Sequence, residues 1–444
     1  MNRKDYWIAL VSSMEQIIGA GLSTVVGIML PMMQLILHPG LPSLLQGLIG
    51  ATGLIGIGVG SAVIGKLSDR HGYLLWFRLC PVIIMAGAAI CLLLPHTAWL
   101  ICGLFLAGIG VGGGYSLDSA YISELMPARW RGVMVGVAKA TSSIGFIVTA
   151  VICYFWLKSD PDPHIWNYLI LIIGAAAALT LLMRIRWAES PGWLMDHGRS
   201  DEALAAARKF FGPGATLPPA PSAKAQGNAT SWGAMFHGEN LTRVIFSGIP
   251  WACEGLGVYG FGVFLPVLVM ALGIESSTVT GMAKVIDSVA VTAVVNFFIL
   301  PGFVLGLLIM NRCNHVKMLT RGFVLAGLGL ALLLAAFLLK WPAWVMIAGF
   351  VIFEVSLNAG PHLITFIIPS AIYPVDDRGA GTGIAAMLGK AGAVAGVILM
   401  PILLEAGGMT LVLGVSIAVM LLGALIGQVY GKKLGVAGTQ SSGL

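Results

Sequence analysis

Apolar runs of about 20 residues or more recur along the whole chain, and no other feature restricts its folding so strongly. A helix made of such a run crosses the ~30 Å hydrocarbon core of a bilayer at ~1.5 Å per residue. Inside lipid every backbone N–H and C=O must find a partner within the protein, which leaves only helices and closed barrels. Barrel strands alternate apolar and polar positions over ~10 residues, whereas these runs are continuous. With 58% hydrophobic and only 10% charged residues in 444, the chain reads as an all-α integral membrane protein. The runs predict twelve transmembrane helices, near 7–36, 43–64, 74–94, 97–125, 133–156, 166–183, 243–271, 281–310, 317–338, 342–366, 381–404 and 409–431.

Six spans precede and six follow a polar stretch rich in Pro, Ala and Ser. The predicted organisation is therefore a six-helix bundle over 1–183, a flexible cytoplasmic linker with some helix over 184–242, and a second bundle with a short cytoplasmic tail over 243–444. Basic residues orient the spans. With both termini cytoplasmic, only Lys158, Lys284, Lys340, Lys139 and Lys390 of the 25 lysines and arginines fall outside cytoplasmic segments. The net charge of +6 is thus read as positive cytoplasmic loops and not as a nucleic-acid surface. The same orientation puts the Asn-x-Thr sequences at Asn228 and Asn240 in the cytoplasm, away from N-glycosylation. Six scattered cysteines without paired spacing read as packing residues, so neither a disulfide frame nor a metal site is expected. The first run is too long for a cleavable signal and reads as a span.

The two halves repeat. MPARWRGVMVG, from Met126, follows the fourth span, and YPVDDRGAGTG, from Tyr373, follows the tenth; Pro, Arg-Gly and a later Gly recur at the same spacing. SDRHGY, from Ser68, has a weaker echo in MNRCNH, from Met310, each after the second span of its half. Parallel six-helix repeats are the mark of a carrier with its substrate site between the halves at mid-membrane. A channel would need a filter-like loop, and an enzyme an HExxH, a GxSxG or clustered Cys/His; the sequence offers none of these.

Against this background Gly65-Lys66-Leu67-Ser68-Asp69-Arg70-His71-Gly72 resembles the G-x-L-x-D-R-x-G loop of the major facilitator superfamily. Glu124 to Gly132 (ELMPARWRG) and Glu189-Ser190-Pro191-Gly192-Trp193-Leu194, with Gly198-Arg199 and Glu202-Ala203, resemble patterns of its sugar porters and of the related metabolite and aromatic-acid proton symporters. Departures qualify the match. Ala188 and Gly192 replace the family's Pro and Arg around ESP, Leu104 stands where many members keep an arginine, and Ala371 occupies the position equivalent to Glu124. The seventh span, WACEGLGVYGFGVFLP from Trp251, lacks the sugar porters' Gln-Gln pair and is closer to acid and phosphate symporters. The resemblance implies a twelve-helix carrier working by alternating access, a monomer without cofactor. Its partners are then a small-molecule substrate, protons and the lipid bilayer, without nucleic acid. A carboxylate carried with protons across the inner membrane is the favoured reading, with a sugar-type symporter or an organic-cation or drug antiporter as the alternatives.

An ionised side chain at mid-span costs ~2.5–3.5 kcal/mol on insertion scales and must face a partner or a cavity. Glu15, Glu254, Glu354 and Asp118 are accordingly the proton-coupling candidates: Glu15 and Glu254 lie at similar depth in equivalent helices of the two halves, and partial desolvation lets a carboxyl load and release protons near neutrality. Asp118 and Lys139 flank the turn between the fourth and fifth spans at similar depth, which predicts a buried ion pair. Lys139 and Lys390, one per half, are candidates to grip an anionic solute. Glu354, Asn358 and His362 recur at helical spacing and predict a polar stripe along the pathway, while Trp251 and Tyr259 are candidates to stack on substrate. Gly65, Asp69, Arg70, Gly72, Glu124, Arg131, Glu189 and Arg378 form the expected cytoplasmic gate, with Asp69 reaching a helix N-terminus and pairing with Arg378 or Arg131.

Overall fold

A computed structural model describes residues 3–37, 40–94, 96–126, 131–215, 235–274, 281–310, 312–373 and 378–435, with the side chains of Arg3, Lys4, Ser119, Ser123, 131–133, Ser370 and 378–380 outside that description. The described residues contain no strand. In the first half α1 (Asp5–Ile36), α2 (Ser43–His71), α3 (Tyr73–Leu93), α4 (Thr97–Leu125), α5 (Met134–Ser159) and α6 (Pro163–Arg184) take up the first six apolar runs. The short α7 (Pro191–Asp196) and α8 (Ser200–Phe211) follow. The last runs become α9 (Gly238–Leu272), α10 (Met282–Ile309), α11 (His315–Leu338), α12 (Ala343–Pro369) and α13 (Arg378–Lys433).

The final helix accounts for two crossings. Gly407 (φ −150°) and Gly408 (φ 61°, ψ −163°) leave helical geometry within α13, and a backbone that only glycine adopts readily at Gly408 lets the chain turn without a loop. Eleven long apolar helices among the described residues thus carry the twelve predicted crossings.

Several spans break where their sequence withdraws or competes for backbone bonds. In α1 the helix is interrupted at Ser12–Ser13, where the Ser13 hydroxyl donates to the Ala9 carbonyl at 2.5 Å. In α5 the interruption falls at Thr141, whose hydroxyl donates to the Ala138 carbonyl at 2.6 Å. In α12 it falls at Gly360–Pro361, between Asn358 and His362, because proline has no N–H to continue the ladder. Each break lies within two residues of an ionisable side chain, Glu15, Lys139 and His362 in turn.

The chain divides into two compact units, Met1–Leu22 with Thr52–Gly145 and Asn167–Gln226, and Ser23–Ala51 with Phe146–Trp166 and Gly227–Leu444. In the first unit α2 and α4 meet along a seam of small residues. A Cβ on Gly56 would lie 3.0 Å from the Gly108 Cα, and one on Gly112 would lie 2.7 Å from the Ile57 carbonyl carbon. Lipid gives helices no hydrophobic reason to associate, so such close backbone approach supplies the packing attraction instead. Ser61 and Ser116 hydroxyls add bonds across the seam to the Gly112 and Ser61 carbonyls, at 2.8 and 3.0 Å. In the second unit the end of α1 and the start of α2 pack as closely on α9 and α13: a Cβ on Gly50 would lie 2.8 Å from Val397 and 3.3 Å from Val263.

Within the predicted linker, the expected helix is α7 and α8, and residues 185–211 pack on the first unit. The apolar face of α8 buries Ala203, Ala206, Ala207 and Phe210, and Phe210 packs on Trp187 (ring centroids 5.4 Å apart), which in turn packs on Phe77 of α3 at 5.7 Å.

Candidate functional site

The first unit holds a buried charge cluster centred on a residue that the sequence reading assigned to the linker. Arg184 ends α6 and is fully buried. Its two terminal nitrogens each donate to one oxygen of the equally buried Glu15, a planar fork matched to a carboxylate. The same nitrogens donate to the Phe77 and Val11 carbonyls, both at 2.9 Å, and the guanidinium lies 3.4 Å from the Phe77 ring centroid. Val11 is the last helical residue before the Ser12–Ser13 break in α1. Gly114 makes room on α4, since a Cβ there would come within 2.5 Å of the Glu15 carboxyl carbon.

Asp118 belongs to this cluster. Its Oδ1 is 3.7 Å from Arg184 Nη2, and the expected Asp118–Lys139 pair is replaced by Asp118–Arg184. Lys139 is half-buried with its Nζ 5.9 Å from the Tyr115 ring centroid. The hairpin argument matched depth but could not set the azimuth of each side chain about its helix. Arg184 escaped notice because an arginine just after an apolar run ordinarily marks the membrane surface.

The loop GKLSDRHG and the ESP segment make a second constellation, built from helix ends. Gly72 joins α2 to α3 at φ 93°, ψ 154°, and Glu189 caps α3: one carboxylate oxygen accepts from the Tyr73 and Leu74 N–H groups at 2.9 and 3.1 Å. Glu124 similarly holds the start of α7, accepting from the Ser190 hydroxyl and the Gly192 N–H. Where the family places an arginine at position 192, this chain offers a backbone donor, and a Cβ there would sit 2.9 Å from Glu124. Arg78 caps the end of α6, donating to the Ile185 and Trp187 carbonyls at 2.7 and 3.2 Å.

Among the expected gate residues, Gly65 approaches Ser116 of α4, Asp69 and Arg70 are exposed, and the Asp69 carbonyl accepts from Trp193 Nε1 at 3.0 Å. The anticipated partners Arg131 and Arg378 have side chains outside the described residues, and so does the expected pairing of Asp69 with them. The helix N-terminus that is capped here is that of α3, and Glu189 caps it. Gly72→Ala should lower stability by about 1–3 kcal/mol, because its backbone conformation belongs essentially to glycine and a Cβ would press on the Glu189 carboxylate. Unfolding of the purified variant in detergent checks this, with Ala at the open position Gly58 as the control.

The second unit gathers the remaining candidates on α9, α12 and α13. Glu254 of α9 and His362 of α12, both buried, approach to 3.4 Å between Oε1 and Nδ1. The His362 ring also packs 5.0 Å from Phe303 of α10. Lys390 of α13 is half-buried, donates to the Tyr259 hydroxyl at 3.4 Å and lies 4.9 Å from its ring centroid. Glu254 is the acid whose charge reaches Lys390. Trp251 lies against Gly389, where a Cβ would be 2.7 Å from the indole, and meets Phe366 edge-on at 5.9 Å. Glu354 and Asn358 pair within α12, the amide donating to the Glu354 carbonyl at 2.8 Å and to its carboxylate at 3.1 Å. Asn358 packs on Gly302 of α10, so this part of the predicted stripe is buried between helices.

Twelve apolar crossings with charged groups turned inward define a multi-pass membrane transporter of the major facilitator type. The chain belongs to the sugar (and other) transporter family, whose model matches residues 10–434. It is similar to the inner membrane metabolite transport protein YgcS of Escherichia coli (strain K12), 26% identical over 384 residues that cover 86% of this chain and 81% of that one. It is similar also to the niacin transporter NiaP of Acinetobacter baylyi, 26% identical over 359 residues (79% and 76% of the two chains), and to the glucose transporter GlcP of Staphylococcus epidermidis, 24% identical over 387 residues (84% and 82%). In fold it matches the xylose transporter XylE from E. coli in a partially occluded inward-open conformation, with a TM-score of 0.75 at 20% identity over 96% of this chain and 97% of that one. These relatives and fold neighbours are transporters, and this chain is a transporter of sugars or other metabolites.

Proposed function

We propose that the protein carries a small organic carboxylate together with protons across the cytoplasmic membrane, its termini on the cytoplasmic side, by rocking residues 1–183 against 243–444. The observation that carries this reading is Lys390, a half-buried cation on Tyr259, with the acid Glu254, itself paired with His362, acting on its charge. A carboxylate needs a cation, a planar substrate gains from aromatic faces, and symport needs an acid whose charge depends on the substrate. The three requirements combine simply. A substrate carboxylate that docks on Lys390 replaces Glu254 as its counter-ion, and Glu254, left as a buried anion beside His362, takes up a proton. Substrate and proton then favour each other's binding, and the loaded site crosses with the same net charge as the empty one. The relative named for niacin, an aromatic carboxylate, and the inner-membrane relative YgcS are in keeping with this reading.

A second reading, sugar symport, is favoured by the relatives named for glucose and the fold neighbours named for xylose. Proteoliposomes separate the two. With the outside acidic, saturable uptake of aromatic or aliphatic carboxylates that collapses on adding a protonophore is expected. Uptake of hexoses or pentoses with no response to carboxylates establishes the sugar reading instead, and acidification on adding an organic cation would mean antiport.

A further inference from the structure

The Glu15–Asp118–Arg184 cluster has more acid than base. The side chains of all three are no more than 3% exposed, and two carboxylates face one guanidinium. The four hydrogens on the terminal nitrogens of Arg184 are already committed, two to Glu15 and one each to the Phe77 and Val11 carbonyls, and the fifth, on Nε, bonds neither carboxyl. Neither Asp118 oxygen accepts a hydrogen bond, although Arg184 is only 3.7 Å away. Groups on the packed elements do not fill the deficit. From α1 comes Glu15, from α3 the Cys80 thiol, from α6 Arg184 itself, while Lys139 of α5 lies over Tyr115. A buried carboxylate without a donor or a cation of its own is far more costly than a carboxylic acid, and two adjacent carboxyls that share one cation relieve the excess by sharing a proton. Glu15 is the carboxyl neighbour that a proton on Asp118 can reach.

We infer that Glu15 and Asp118 hold one proton between them over Arg184, with Asp118 as the acid that donates to the Glu15 carboxylate, forming a proton site in the first half of the chain separate from the Glu254–His362 pair. The proton binds and leaves as H⁺ without other chemistry: the protonated cluster is neutral and the deprotonated one carries a single negative charge. When the proton leaves, Asp118 becomes a second anion competing for Arg184 Nη2, which must close from 3.7 Å to an ordinary bond of about 2.9 Å at the expense of Glu15 or the Val11 carbonyl. Val11 borders the break in α1, so the proton's presence is felt at a hinge of the first helix. That this proton is one of those transported rests on the carrier reading; its presence in the folded protein does not.

Infrared difference spectroscopy on the purified full-length protein in lipid tests the site directly, because a protonated carboxylic acid has a carbonyl stretch distinct from that of a carboxylate. At neutral pH the wild-type protein should show one carbonyl band that disappears in Asp118→Asn. The same band should disappear in Glu15→Gln, where Asp118 inherits Arg184 as sole partner and ionises. Asn mimics the protonated acid, so Asp118→Asn should unfold at the wild-type temperature near neutrality; Glu254→Gln should leave this band in place. Retention of the band in both cluster variants overturns the proposal, as does an Asp118→Asn protein that no longer folds while Glu15→Gln folds with its carbonyl bands unchanged. Absence of carboxylate uptake with the band behaving as expected rejects the carboxylate reading and leaves the proton site standing.

Discussion

Arg184→Met should destabilise the protein by about 3–5 kcal/mol, because it removes the cation from a site with two buried carboxyls and strips the Val11 and Phe77 carbonyls of their donor. Unfolding in detergent should show a lower midpoint, and the loss should grow as the pH rises. The sign follows from the charges: without Arg184 the native state keeps protons on Glu15 and Asp118 that the unfolded chain gives up near its ordinary carboxylate range, so stability falls with pH over the interval between the two states' titrations. Adding Glu15→Gln should restore part of the loss and weaken its pH dependence, since one of the two carboxyls that lacked a partner is gone. The unsatisfied carbonyls contribute to the remainder, at ~1–3 kcal/mol each. An Arg184→Met protein that unfolds at the wild-type midpoint would show that the cluster contributes nothing to the fold.

Lys390→Met should raise the substrate concentration needed for half-maximal carboxylate uptake by about 10- to 100-fold, the equivalent of the roughly 1.5–3 kcal/mol of a hydrogen bond to a charged group. Lys390→Arg should keep a substantial part of the affinity, because it keeps the charge while changing its geometry against Tyr259. Loss of the positive charge also takes the counter-ion from Glu254, so the pH dependence of uptake should flatten in the same variant. Equal uptake kinetics in Lys390→Met and wild type would separate the lysine from the substrate. An unchanged affinity for a sugar in that variant would place sugar recognition elsewhere in the chain.

The two clusters differ in how far they could be read from the residues. Glu15, Asp118, Glu254, Lys390 and His362 announce themselves, since each is an ionisable group in an apolar run and lipid leaves such groups no bland environment. Their partners do not. Depth matches Asp118 with Lys139, yet the structure turns Lys139 toward Tyr115 and gives Asp118 the end of α6 instead. Depth along a helix is a count of residues at a fixed rise, but the direction a side chain points depends on the rotation and tilt of each helix, which neighbours set. Arg184 shows the other limit. It follows Met183 at the end of an apolar run and is followed by Arg186, so local sequence marks it as a surface anchor. Only its packing against Glu15, Val11 and Phe77 of other helices, with Trp187 on the same Phe77 ring, takes it out of that setting.

The helix ends repeat this lesson at GKLSDRHG. Gly72 was legible as a tight turn, and Glu189 as part of a family pattern, but their meeting joins residues 117 positions apart and could not be counted off. The seam between α2 and α4 lies between these extremes: Gly56, Gly60, Gly108 and Gly112 are spaced by four, the period of one helix face, yet which helix each would touch required the fold.

By itself the sequence determined that this chain crosses a membrane twelve times, that its halves repeat, and that a small set of charges must find shelter inside it. These follow from the cost of exposing polar groups to lipid, which acts on each segment alone. Tertiary structure alone decided that Arg184 holds Glu15 and Asp118, that Glu189 caps α3, and that Lys390 rests on Tyr259 beside Glu254. Those contacts join distant segments, and their geometry is set by how whole helices pack, to within the ångström or so that separates a hydrogen bond from none.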